Sequence, residues 1–132
     1  MNMIEWREEF SIGLPEVDQE HRALIATINQ LQAQATSGAS AQMIAERLGD
    51  IHAGIAAHFA LEERRMVTLG YDQYIVHKLD HERLLDEILD IQDGVQASGR
   101  YDPDRLGETL SRWFGEHFRT HDKWLHYWLA RQ

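Results

Sequence analysis

The chain has 132 residues and a formal net charge of -9, which allows one domain with a hydrophobic core and leaves too little for two. The acidity argues against nucleic acid as a partner, because phosphate contacts need a surplus of Lys and Arg, and against an anionic membrane surface. The chain contains no cysteine, so disulfides, iron–sulfur clusters and thiolate zinc sites are excluded.

The N-terminal stretch MNMIEWREEF has no apolar core of the kind a secretory signal requires. No apolar run approaches the roughly 18 residues needed to cross a bilayer. A cytoplasmic protein without a membrane partner is therefore expected. Residues 1–14 lack a sustained helical period and read as an extended N-terminal arm, closed by Gly13-Leu14-Pro15. Residues 15–132 read as an all-α bundle, and together they make a single domain over 1–132.

Pro15 suits the first turn of a helix. Leu24, Ile25, Ile28 and Leu31 recur at helical spacing until Ser37-Gly38-Ala39-Ser40 stops the pattern. Ser40 is a candidate N-cap for a second helix, which carries Met43, Ile44, Leu48, Ile51, Ile55 and Phe59 and ends near Gly70. A third helix is expected from about Asp72, using Ile75, Leu79, Leu84, Leu85, Ile88 and Ile91, and stopping at Ser98-Gly99. Asp102-Pro103 is a cap followed by an N1 proline. It opens a fourth helix with Leu106, Leu110, Trp113, Phe114 and Leu125 on its apolar face. Four amphipathic helices with short loops predict an up-down-up-down antiparallel four-helix bundle.

The polar residues acquire meaning in that arrangement. His21 lies near the start of the first helix, and His58 and Glu62 toward the end of the second. His77 and His81 lie near the start of the third, and His117 with Asp122 toward the end of the fourth. In antiparallel succession those ends coincide, within about three or four turns at about 1.5 Å per residue. His58–Glu62 and His77–His81 are spaced by four, so each pair shares a helix face. His58 sits in Ile55-Ala56-Ala57-His58-Phe59-Ala60-Leu61, too apolar for an idle surface histidine. A buried neutral histidine with one hydrogen bond is the plainer reading of any one of these. Four helices offering such groups at one level point instead to metal.

Imidazole with carboxylate suits iron, zinc, copper or nickel rather than calcium or magnesium. Seven ligands exceed what one zinc uses, so two metals are implied. No histidine has Glu three residues before it, and only His21 has an acid there, Asp18; the Glu-x-x-His pattern of carboxylate-rich di-iron oxidases is thus missing. HExxH is also absent, which removes the usual zinc-peptidase reading. His52, His121 and His126 are read as non-ligands.

The order His21, His58-x-x-x-Glu62, His77-x-x-x-His81, His117-x-x-x-x-Asp122 resembles the hemerythrins, and the length and opening resemble a single-domain bacteriohemerythrin. The surrounding words agree: Asp18-Gln19-Glu20-His21, Glu62-Glu63 with Met66, Gly70-Tyr71, and Trp113 before His117. The resemblance implies two non-haem irons, Fe(II) or Fe(III), joined by an oxo or hydroxo bridge. His77, His81 and His117 would hold one iron and His21 and His58 the other, with Glu62 and Asp122 bridging. Dioxygen would bind reversibly as peroxide at the open position of the two-histidine iron, where small anions could also bind. The bridging hydroxide would supply a proton, so that oxygenation leaves the net charge of the pocket unchanged.

The implied role is oxygen carriage, storage or delivery rather than catalysis. An oxygen or redox sensor module, or a slow peroxide or nitric oxide scavenger, is the alternative. Leu24, Phe59, Trp113 and Phe114 are candidates for the oxygen-pocket wall, and Phe114 stands where the family commonly has an aliphatic residue. His117 and Asp122 differ by five, an offset of about 140° on an ideal helix. Periodicity alone would choose His121 and the resemblance chooses Asp122, so a π-type widening is expected near residues 117–122. Trp124, Tyr127 and Trp128 read as a clamp on the arm through Trp6, or as an exposed patch for self-association or a partner.

Overall fold

The computed structural model describes residues 14–132. Helix α1 spans Pro15–Thr36, α2 Ala41–Leu69, α3 Tyr74–Ser98 and α4 Pro103–His117; a π-helical segment, Phe118–Asp122, joins α4 to α5, Lys123–Ala130. The last three form one rod, so the described residues make an antiparallel four-helix bundle without strands. Loops 37–40, 70–73 and 99–102 are short enough to place consecutive helices side by side.

The helix ends follow their local chemistry. The Ser40 hydroxyl accepts a hydrogen bond from the Met43 amide at 3.1 Å. Asp102 Oδ1 accepts from the amides of Asp104 at 3.0 Å and Arg105 at 3.3 Å, satisfying donors that the first turn leaves open. Gly70 and Gly99 end α2 and α3 with φ of 73° and 68°, a left-handed conformation that costs other residues a Cβ clash. Helix α3 begins at Tyr74 behind Gln73, two residues later than the sequence predicts from Asp72.

Two apolar clusters fill the bundle. The larger contains Leu24, Ile28, Leu48, Ile55, Phe59, Leu84, Ile88, Leu110, Phe114 and Phe118. The smaller, at one end, contains Val17, Met66, Tyr71 and Leu125, with Leu14 and Trp128 against it. Along α1 the order is Val17, His21, Leu24; along α2 it is Phe59, Glu62, Met66. The histidine layer therefore lies between the two clusters.

Three apolar positions assigned to the core are corrected here. Ile75 and Leu79 do not reach the core; they are 62% and 58% exposed. Their inward neighbours are His77 and His81, both buried, and a residue two positions away points about 200° round the helix. Met43 is likewise exposed. The arm assigned to 1–14 lies, Leu14 apart, outside the described residues, as does Trp6 with the clamp assigned to it. Trp128 packs on Tyr71 with ring centroids 5.1 Å apart, whereas Trp124 and Tyr127 are half exposed. No helix among the described residues is long and apolar enough to cross a membrane.

These placements set opposite expectations for two substitutions. Asp102→Ala should lower the unfolding free energy by about 0.5–2 kcal/mol, and Ile75→Ala should change it by less than about 0.5 kcal/mol. Urea denaturation followed by circular dichroism measures both, and a larger loss at Ile75 would contradict its assigned exposure.

Candidate metal centre

The seven candidates converge. Among the described residues, the buried polar or charged side chains are His21, His58, Glu62, His77, His81, His117 and Asp122, each at most 3% exposed. They fall into two groups that share Glu62. One is Glu62, His77, His81, His117 and Asp122; the other is His21, His58 and Glu62. Burying this many ionisable groups in an apolar bundle is costly unless they are paired or coordinate a metal.

The two carboxylates divide their oxygens between the groups. Glu62 Oε1 lies 2.7 Å from His77 Nε2 and 3.2 Å from His81 Nε2. Its Oε2 lies 3.1 Å from His21 Nε2 and 3.5 Å from His58 Nε2. Asp122 Oδ1 lies 3.0 Å from both His77 Nε2 and His117 Nε2, and its Oδ2 lies 3.4 Å from His21 Nε2. Three imidazoles thus face one oxygen of each carboxylate, and His21 with His58 faces the other side.

The outer ring nitrogens explain why Nε2 points inward. His58 Nδ1 is 3.0 Å from Glu20 Oε2, His81 Nδ1 is 2.8 Å from Glu63 Oε2, and His117 Nδ1 is 2.6 Å from Asp80 Oδ2. An Nδ1–H that donates to a carboxylate fixes the tautomer and leaves the Nε2 lone pair free, as metal-binding histidines require. Each carboxylate serves the next helix: Glu20 on α1 serves α2, Glu63 on α2 serves α3, and Asp80 on α3 serves α4. Sequence reasoning missed these three roles. Their signal is adjacency, since Glu20 precedes His21, Glu63 follows Glu62 and Asp80 precedes His81.

The π-helical segment Phe118–Asp122 falls where the sequence predicts widening. Its i→i+5 geometry brings residues five apart into line, and Asp122 meets His117 across that step. His121 instead lies outside, with Nε2 3.7 Å from Asp80 Oδ2, and belongs to neither ligand group.

Of the four proposed wall residues, Phe59 is buried and stacks on His81, ring centroids 3.7 Å apart at 5°. Leu24 and His58 together line a cleft of about 250 Å³ between α1 and α2. Phe114 is buried against Phe118, centroids 6.3 Å apart. Trp113 is half-buried and lines a different cavity, with Ile91, Val95, Tyr101 and Leu106, that none of the seven candidates touches. Phe118, which the sequence did not single out, lies 4.9 Å from the His21 ring. Its position four residues before Asp122 was the available signal.

Without a metal the layer is an ion cluster. Burial pushes His117 down, but the Asp122 carboxylate close beside it and the hydrogen bond to Asp80 outweigh it and raise the imidazole to about 10. His21 and His77 are raised for the same reason, burial being overcome by Asp122 and Glu62. Burial alone would raise Glu62 and Asp122, yet the surrounding histidines hold both below the usual carboxylate range. Many inward atoms still lack a partner in hydrogen-bond geometry: Nε2 of His58, His77, His81 and His117, Glu62 Oε1 and both Asp122 oxygens. Such orphans are rare in a protein interior. Imidazole nitrogens and carboxylate oxygens converging in two groups fit a pair of first-row transition-metal ions.

The fold and the site together define a four-helix bundle with a candidate metal centre in its core. The sequence profile of the Hemerythrin HHE cation binding domain matches residues 13–129, and the chain belongs to the hemerythrin family. It is 32% identical over 123 residues to a bacteriohemerythrin of Stenotrophomonas maltophilia, covering 93% of this chain and 79% of that protein. It is 31% identical over 117 residues to a bacteriohemerythrin of Pseudomonas aeruginosa, covering 89% and 75%. A crystal structure of a hemerythrin mutant superposes with a TM-score of 0.84 at 24% identity, covering 93% of this chain and 94% of that one.

Two outcomes follow for the metal-free protein. The raised His117 contributes stability that is full below its ordinary 6.5 and lost as pH rises through about 10. The depressed Glu62 and Asp122 contribute above their ordinary 4.5 and 3.8 and lose it as pH falls through their lower folded values. Stability should therefore peak at mildly acidic pH and decline toward alkaline pH. Metal must displace the histidine protons, so Fe(II) binding should release protons at neutral pH and tighten as pH rises. Anaerobic calorimetry in buffers of different ionisation heat measures this, and proton uptake would contradict it. Separately, Asp80→Asn should weaken Fe(II) binding roughly 10- to 100-fold, read by competition with a coloured chelator; unchanged affinity would remove Asp80 from the support of His117.

Proposed function

We propose that this chain holds two iron ions and binds dioxygen reversibly, for its carriage, storage or delivery, in a cytoplasmic setting. His77, His81 and His117 would hold one ion and His21 and His58 the other, with Glu62 and Asp122 shared between them. The observation that carries the reading is the division of both carboxylates, one oxygen toward each histidine group. The iron pair would supply the two electrons that dioxygen takes up, at the ion with fewer imidazoles and hence an open position for oxygen or a small anion.

The protein's own part is to orient and to exclude. Glu20, Glu63 and Asp80 hold His58, His81 and His117 with Nε2 inward. Phe59, Phe118 and Leu24, backed by Phe114, surround the layer with apolar groups and keep bulk water from it. The seven candidates account for all the buried polar or charged side chains among the described residues. Carriers differ from scavengers and sensors in what happens after oxygen leaves.

The test is a cycle. Iron per chain is measured, the protein is reduced anaerobically, oxygen is admitted and then removed. Two irons per chain and a visible charge-transfer band that appears and reverses are expected. Irreversible bleaching with product formation would favour the scavenging enzyme. Zinc in place of iron, in protein from iron-replete cells, would defeat the assignment.

A further inference from the structure

We propose that Trp124 and His121 form the route by which electrons from a one-electron carrier protein reach the metal layer. The proposal rests on the two-iron reading above and extends it to how an oxidised site regains its electrons. His121 is not grouped with the ligands, yet it is not idle: its ring stacks on His117 with centroids 5.6 Å apart and lies 5.6 Å from the His77 ring. On its outer side it meets Trp124 edge-on, centroids 5.1 Å apart. Trp124 is 50% exposed, whereas His117 is buried. Ring contacts therefore run from solvent to two imidazoles of the three-histidine group in two steps.

Trp124 and Tyr127 are the exposed aromatic residues among the described ones. Of the pair, Trp124 touches His121. Tyr127 lies one turn on along α5, and Val76, also exposed, lies one turn from Asp80 on the face of α3 that meets His117 and His121. The outer end of the ring path is thus an exposed tryptophan with an exposed tyrosine one turn on, whose ring has the Lys123 ammonium 5.7 Å from its centroid. Tryptophan and tyrosine serve as contact anchors where a partner must dock and leave again. The occupant the geometry points to is a carrier whose redox group comes up against Trp124.

The step balances simply. Each reduced carrier would give up one electron, so two carriers would supply the two electrons that an oxidised iron pair lacks, and one proton from solvent would convert a solvent-derived oxide to hydroxide. A carrier of oxygen that has lost its electrons to oxygen is inert until this happens, so a conducting contact between site and surface has a use that neither oxygen binding nor packing requires.

The absence of cysteine makes the test direct. A ruthenium photoreductant is attached through Tyr127→Cys, beside Trp124, or through Leu69→Cys, exposed at the end of α2 as a control. The flash-triggered reduction of the ferric site is then followed optically. From Tyr127→Cys, Trp124→Leu should slow reduction by about tenfold or more, and Trp124→Phe, which keeps a ring, should restore most of the rate. From Leu69→Cys neither change should matter. Iron content, thermal midpoint and the reversible oxygen band are measured in every variant and should be unchanged. A normal oxygen cycle with a Tyr127→Cys rate indifferent to Trp124, or equal slowing from both attachment points, would overturn this proposal alone. A parent chain that holds no iron would overturn the two-iron reading and this proposal with it.

Discussion

Glu62 and Asp122 are two fully buried carboxylates in one layer of an apolar bundle, and the rest of the structure is arranged around that fact. Neither can be desolvated alone without a cost of several kcal/mol. Each is offset by imidazoles on both sides, and those imidazoles are themselves buried. In the metal-free protein, protons on the histidines balance the charge. With two divalent ions, as proposed above, the same oxygens and Nε2 atoms would become ligands and the protons would leave.

The support for this layer passes from each helix to the next, α1 through α4. A carboxylate on α1 holds the histidine of α2, one on α2 holds α3, and one on α3 holds α4. The orientation of these imidazoles and helix packing are coupled as a result, because shifting α1, α2 or α3 moves both its own inward group and the outer partner of the next helix's histidine. Asp80 carries more than the others. It also takes hydrogen bonds from Arg83 at 2.8 and 3.1 Å, which anchors the group that positions His117. The apolar clusters above and below close the layer, and the π-helical step lets the last helix contribute two groups where α-helical spacing would deliver His121.

The sequence made much of this legible because the signals were local. Caps at Ser40 and Asp102 and glycines at 70 and 99 marked helix ends through their own chemistry. Antiparallel order then brought four polar groups to one end by arithmetic. What stayed hidden depends on contacts between helices. Glu20, Glu63 and Asp80 look like ordinary surface acids until the neighbouring helix is placed. Phe118 shows its role as a wall residue only once α1 is in place, with the His21 ring 4.9 Å away. Ile75 and Leu79 misled because apolar spacing shows a face without saying whether it points inward; at this level His77 and His81 hold the inward positions. Asp122 was chosen over His121 by resemblance, since periodicity pointed the other way.

The central claim is that each carboxylate is shared between two metal ions of unequal histidine number. Diffraction from crystals of the iron-loaded protein, with anomalous data collected at the iron edge, tests it most directly. Two iron peaks are expected, both touching Glu62 and Asp122, with Nε2 of His77, His81 and His117 on one and of His21 and His58 on the other. A single iron peak, or an iron bound by His121 in place of Asp122, would contradict the account.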